Sequence, residues 1–456
     1  MKFSSFKKSV AVVLVLSTLF ITGCRTKDGT SKNSNEVIEL TYYKMFDDED
    51  VINPMIQEYQ KLHPNIRINY KKFNNIEDYY KLLVDELAQG EGPDIFSVQN
   101  FWILKNRKKI VPADNSVVPP DTFRDIFVDV AAKDVIWPDE NAVERVYGVP
   151  LSVDTLALYY NKDHFEDRLP QQGKPSKTWE GIKNDVYALT KADTSFERFQ
   201  VAGIALGRAD NITRAVDIAM LMMLQNGVKF YDSAYSKITL GNGAIEALTL
   251  FNSFADQNQK NYSWNKYISD PASAEKEIST FAKGKVSMII GYSYLYEEIM
   301  NQIEEERAKG FSPISKSSVK VATIPQFTDP DTSLSKRVTY ADYFVETVAR
   351  TSEHPNEAWD FLLYMASKEN SQKYFEATKK PTSRRDLIEE QKKNPIYGIF
   401  VDQIGFAESL PVASEYEMVN VFVKMISSLE NGTSVRDAIK IAESDLQLLV
   451  PKGGLL

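Results

Sequence analysis

The chain has 456 residues, of which 43% are hydrophobic and 26% charged, with a formal net charge of −9. That length exceeds what one hydrophobic core usually holds, so two lobes or domains are expected. The acidic balance argues against nucleic acid as a partner and against a polybasic membrane patch, and the single cysteine leaves neither a disulfide framework nor a soft-metal site. With 11% aromatic residues, 23 Tyr among them, many rings must be placed in a core or a pocket.

The N-terminus reads as an export signal. Lys2, Lys7 and Lys8 form a basic region, Val10 to Phe20 a short apolar run, and Ile21-Thr22-Gly23-Cys24 a lipoprotein cleavage site. The run is about half the ~20 residues a spanning helix needs, so removal of residues 1–23 is expected. The alternative is an uncleaved anchor with Cys24 inert. Cleavage moves the formal charge from −9 to −12, because three lysines leave, and the mature protein then begins at a diacylated Cys24 on the outer face of the cytoplasmic membrane. Residues Arg25 to Asn35 carry no bulky apolar side chain, so residues 24–35 read as a lipidated cysteine and flexible tether.

Beyond the tether the pattern alternates strand and helix. Ile38 to Tyr43 reads as a strand, and Val51, Met55, Ile56, Tyr59 and Leu62 fall at helical spacing. Asp47, Asp48, Glu49 and Asp50 suit the positive end of that helix; a calcium loop would need a glycine and terminal glutamate that are missing. After Pro64, Ile66 to Tyr70 alternates as a second strand, Tyr79 to Leu87 reads as helix, Gly90-Glu91-Gly92-Pro93 as a turn, and Asp94 to Val98 as a third strand. Such alternation predicts a mostly parallel sheet covered on both faces, with ligands beyond the strands' carboxyl ends. Phe46 and Asp47 after the first strand, and Asn100 to Trp102 after the third, occupy those places.

In order along the chain, LTYY, EYQKLHPNIRINY, DELAQGEGPDIFSV and YGVPLSVDTLALYYNKDHF resemble the extracellular solute-binding proteins of ABC importers, in the branch similar to maltose-binding proteins. Pro175 to Trp179 with Gly181, FAKGKVSMIIGYSY, AWDFLLYMAS, KKPTSRRD and ENGTSVRDAIK continue the resemblance from about Glu36 to the last helix, while Glu304 to Ser318 reads as an insertion. The resemblance implies a type II two-lobe α/β fold, each lobe a mostly parallel sheet flanked by helices, joined by three crossovers. These fall near Pro150 to Thr155, Val319 to Gln326 and Lys379 to Pro381, dividing the chain into 36–152 plus 326–378 and 153–325 plus 379–456. At the first crossing, Pro150 interrupts an apolar run where a central strand would disfavour it.

The resemblance also implies a monomer that captures a carbohydrate, an oligosaccharide above all, and delivers it to separate permease and ATPase chains, with no cofactor and no metal. Sugars are held by aromatic faces and by planar carboxylate, amide and guanidinium groups. Asp154 occupies a position where relatives place a carboxylate on the ligand; otherwise it caps local backbone. Tyr292 and Tyr294 follow the apolar run VSMIIG where the family commonly places an aromatic platform, although strand alternation would bury one ring and expose the other. Trp102 and Asn100 are further candidates, with packing as the equal alternative for Trp102; a capping Asp47 and a buried Phe46 need no ligand. Arg208 and Asp210 match a segment that supplies contacts in relatives, but its usual aromatic is absent. Tyr340, Asp342 and Tyr416 complete the set.

Catalytic motifs are lacking. There is no GxSxG, no P-loop and no HExxH, and His63, His164 and His354 read as solvated residues at helix ends or in loops. Two other readings remain open: an extracellular carbohydrate-active enzyme, which needs a carboxylate pair with split pKa values, and a ligand receptor that informs a sensor kinase.

Overall fold

The structure is a computed structural model that describes residues 37–193, 198–268, 276–332, 336–412, 414–452 and 454–455. Cys24, the signal segment and the tether lie outside the described residues. Strand β1, Ile38–Met45, buries Leu40, Tyr42 and Met45. Helix α1, Glu49–Leu62, buries one stripe of Ile52, Met55, Ile56 and Tyr59. Leu62 ends the helix 66% exposed, outside the stripe, because the chain turns away at His63 and Pro64. Strand β2, Ile66–Phe73, runs parallel to β1 from the pair Ile38–Ile66 to the pair Met45–Phe73. Helix α2, Ile76–Gln89, starts on Asn75, whose side chain accepts from the Glu77 and Asp78 amides, and stops at Gly90 with φ +79. Strand β3, Ile95–Gln99, is buried throughout and parallel to β1.

The chain then builds two three-stranded sheets. Strands β4, Asp154–Thr155, and β5, Ala157–Asn161, are followed by helix α3, Ala215–Gln225, strand β6, Met288–Gly291, helix α4, Leu295–Ala308, and strand β7, Val319–Ala322. Strand β5 is central, and β6 and β7 both pair antiparallel to it. The segment read as an insertion is thus partly the last turns of α4, where Glu306 is fully buried between Lys283 and Lys309. Strand β8, Thr339–Asp342, pairs antiparallel with β4, setting Asp342 opposite Asp154, and parallel with β10, Ala407–Glu408. Strand β9, Phe344–Val348, returns antiparallel to β3 and gives the first sheet the order β9-β3-β1-β2. Helices α5, Pro355–Met365, α6, Lys368–Thr378, α7, Glu415–Glu430, and α8, Val435–Leu449, complete the layers.

Apolar side chains gather in two cores. One draws on Leu40 to Val153 and Ala341 to Tyr374, with Ile404 and Leu455. The other draws on Leu156 to Ile324, Tyr340 and Phe375 to Leu446, with Phe101. The chain therefore changes core between Val153 and Leu156, between Tyr340 and Ala341, and between Tyr374 and Phe375. Buried polar joints tie these passages. Gln403 accepts from the Ile324 amide at 2.8 Å and donates to the Leu156 carbonyl at 3.0 Å, while Asp134 accepts from Asn100, Tyr343 and Ser409. Among the described residues no helix is long and apolar enough to cross a membrane.

Candidate functional site

A cavity of about 560 Å³ opens between elements of the two cores, within the size range of small-ligand pockets. From the first core it is lined by the ends of β1 and β9, and from the second by the residues after β6 and at the start of α3. Phe46, Asp154, Tyr292, Tyr294 and Asp342 all face it.

Phe46 follows β1 with φ +67, a left-handed conformation that costs a bulky residue about 1 kcal/mol or more. The Phe46 amide donates to Phe73 O and the Asp47 amide to Met45 O, which holds the turn. The ring, 46% exposed, meets the Phe344 ring edge-on at 5.8 Å. Asp47, expected to cap α1, is instead buried. It lies 3.3 Å from Lys44, accepts from Lys380, and accepts from Tyr374 Oη at 2.6 Å. Burial pushes its carboxyl up, but the two lysines outweigh that and hold it at about 2. Lys44 also donates to Glu346, which accepts from Ser97 Oγ at 2.7 Å.

On the other side β6 ends at Gly291, and the next residues turn into α4, with the Leu295 amide donating to Tyr292 O. Strand alternation therefore stops before it could separate the two tyrosines. Both rings line the cavity, 6.0 Å apart and 25° from parallel. Tyr292 is buried and donates to Asp217 Oδ2 at 3.1 Å, whereas Tyr294 is 37% exposed. Arg214 lies over both, its guanidinium carbon 5.3 and 5.6 Å from the ring centres, and donates to Tyr294 Oη.

Asp154 is buried and accepts from the Ser293 amide at 3.1 Å, Ser293 Oγ at 2.6 Å and the Thr155 amide at 2.9 Å. Burial raises it to about 6, and these bonds pull the other way. Asp342 accepts from Gln99 Nε2 at 3.4 Å; burial, with Asp217 nearby, raises it to about 6.

The remaining candidates are placed elsewhere. Trp102 stacks on Tyr80 with ring centres 3.8 Å apart, and Asn100 donates to Asp134 at 2.8 Å inside the buried joint. Arg208 pairs with Asp210 and Glu430 at 2.6 and 2.8 Å, outside the cavity lining. Tyr340 lines a smaller cavity of about 270 Å³ that shares Arg214 and Asp342 with the larger one, and Tyr416 is 69% exposed on α7. His164, read as solvated, is half-buried with Nδ1 2.9 Å from Ser287 Oγ. Lys44, Arg214, Glu298, Phe344 and Lys380 line the cavity without having been singled out in the sequence. Arg214 and Phe344 lie six and two residues past the candidates Arg208 and Asp342, Lys44 and Glu298 two and four residues from Phe46 and Tyr294, and Lys380 inside the expected third crossing.

The sequence profile of the bacterial extracellular solute-binding proteins matches residues 46–372. The chain belongs to that family. Relatives of this solute-binding protein include the maltodextrin-binding protein MdxE of Bacillus subtilis, 25% identical over 324 residues, covering 66% of the chain and 67% of the relative. Another is the multiple sugar-binding protein of Streptococcus mutans, 20% identical over 398 residues and 84% of each chain. Among solved structures, the sugar-binding protein MalE from Xanthomonas citri superposes with a TM-score of 0.72 at 15% identity, covering 90% of this chain and 97% of that one. A cyclo/maltodextrin-binding protein complexed with maltotetraose gives 0.68 at 17%, covering 91% and 99%. The fold is thus the two-lobe periplasmic-binding-protein architecture, and the cavity is its interlobe cleft.

Proposed function

We propose that this protein is the receptor of an ABC importer, capturing a carbohydrate, and an oligosaccharide above all, between its lobes and presenting the closed form to a membrane permease. The observation that carries the reading is the paired aromatic lining of one cleft. Phe46 and Phe344 come from the first-core side and Tyr292 and Tyr294 from the second, with carboxylates and cations between them. Rings of this kind stack on apolar sugar faces while the charged groups bond hydroxyls. Relatives named for maltodextrin and multiple sugars support the same ligand class. In this reading the lobes are 36–152 plus 326–378 and 153–325 plus 379–456, with the stretch up to Tyr340 packed against the second core. Cys24 carries the lipid anchor, and the protein acts as a monomer.

A glycosidase in this cleft would need two carboxylates whose pKa values are driven apart. Asp154 and Asp342 are both raised to about 6, so the pair lends an enzyme no support. The test is a thermal-shift screen of the chain from Arg25 onward against mono- and oligosaccharides, peptides and amino acids, with recovery of the ligand. A sugar at 100 times its dissociation constant adds about 2.7 kcal/mol of stability. A shift with the sugar recovered intact is expected; cleaved product would replace the receptor with an enzyme, and silence to every sugar would overturn the carbohydrate assignment.

A further inference from the structure

The charges around the cleft fall into two groups with different balance. On the first-core side two lysines meet two carboxylates: Lys44 bonds Glu346 and lies 3.3 Å from Asp47, and Lys380 bonds Asp47. Opposite them a single guanidinium stands among three carboxylates. Arg214 Nη1 lies 3.6 Å from Asp217, and Asp342 and Glu298 line the same cavity as Arg214. Asp217 is further bonded by Tyr292 Oη. Asp342 receives only the 3.4 Å bond from Gln99, and no hydrogen bond reaches the Glu298 carboxylate among the described residues. Asp154, the fourth carboxylate at this wall, has its acceptors occupied by Ser293 and Thr155. Burial raises Asp217 and Asp342, both partly buried, and shifts Glu298, which stays exposed, in the same direction.

Closure of the lobes removes water from this wall and strengthens every electrostatic term within it. A neutral saccharide offers hydroxyl donors to Asp342 and Glu298 but leaves the surplus of negative charge unmatched. A uronate adds to that surplus. A protonated amine supplies donors and the missing charge together, through bonds ionised at both ends.

We propose that the cleft selects its saccharide by charge: it takes a sugar carrying a protonated amine, bonded at Asp342 within the field of Glu298 and Asp217, in preference to the neutral sugar, and rejects uronates. This rests on the carbohydrate reading above and adds the chemical class of the ligand. Asp342 and Glu298 are then the residues that determine specificity, while the tyrosines serve any saccharide.

The experiment is titration calorimetry of the protein at pH 7 against matched α- and β-linked di- to tetrasaccharides of glucose, of glucosamine with its amine free, and of glucuronate. In the best-fitting linkage the amino sugar binds about tenfold tighter than its neutral counterpart, and the uronate gives no heat. Asp342→Asn lowers the preference to within about threefold. Glu298→Gln reduces the preference in the same direction and keeps the test decisive where Asp342→Asn melts early without ligand. Equal or tighter binding of the neutral sugar, measurable binding of the uronate, or an amine preference that survives both variants overturns the proposal and leaves the carbohydrate receptor standing. Silence to all three series overturns both.

Discussion

The two walls of the cleft carry similar residues and use them differently. In the wall built from Lys44 to Asp47, Glu346, Tyr374 and Lys380, every charged group meets an opposite charge, and its two inner members, Lys44 and Glu346, are almost fully buried. In the wall built from Arg214, Asp217, Tyr292, Tyr294, Glu298 and Asp342, one cation serves three carboxylates, and an aromatic ring remains 37% exposed. A closed network contributes to the fold and has little left to offer a ligand. An open one is stable only in part until a ligand completes it. The first wall therefore shapes the cleft and the second reads what enters it.

Lys44→Met breaks that division most forcefully. It strands Glu346 and leaves Asp47 only Lys380 as a cation, and removal of one partner from a buried pair costs about 3–5 kcal/mol, measured by urea unfolding. A loss near zero would show that the first wall is not the scaffold. Tyr294→Ala works the other way: saccharide affinity falls by about 2 kcal/mol, about thirtyfold, in calorimetry, with unfolding free energy changed by less than about 1 kcal/mol because the ring is partly exposed.

Titration sharpens the contrast, because Asp47 and Asp154 shift in opposite directions. Asp47 is held at about 2, below its unfolded value of 3.8, so it contributes stability above pH 4 that is lost as pH falls toward 2. Asp154 is raised to about 6, so its contribution is present below pH 4 and is lost as pH rises through 6. Wild type minus Asp47→Asn should thus rise from pH 2 to 4, and wild type minus Asp154→Asn should fall from pH 4 to 6, each by on the order of 1–3 kcal/mol in thermal melts. Equal slopes of one sign would erase the distinction. The smallest effect belongs to Phe46→Gly, which relieves the φ of +67 and removes the ring. Stability stays within about 1 kcal/mol of wild type while saccharide binding weakens, and a melting temperature that drops sharply would mean the ring packs more than it binds.

Much of the first sheet was legible because its signals are local. Gly90 stops α2 in a left-handed conformation at the expected turn, although the helix begins at Ile76, three residues before the Tyr79 read from the sequence, and the apolar stripe of α1 follows helical spacing through Tyr59. The motifs that resemble solute-binding proteins run in family order, and the match over residues 46–372 agrees with them. Part of the site was legible for the same reason, since Phe46 and Tyr292 directly follow recognisable strands.

Other readings failed where the deciding partner is remote. Asp47 looks like a helix cap until Lys380, 333 residues later, is brought onto it, and Lys44, which carries no local signal, meets Glu346 from 302 residues away. Trp102 and Asn100 stand at the place where ligands bind in such sheets, yet Tyr80 and Asp134 engage them from within the fold. The tyrosine pair looks divided by strand alternation until the strand is seen to end at Gly291. By itself the amino-acid sequence determined the strand and helix pattern, the family and the neighbourhoods of the cleft, because periodicity, caps and turns depend on residues a few positions apart. Which charges are spent and which still face the ligand was decided by tertiary structure alone, because three passages between two cores bring together side chains that share no local pattern.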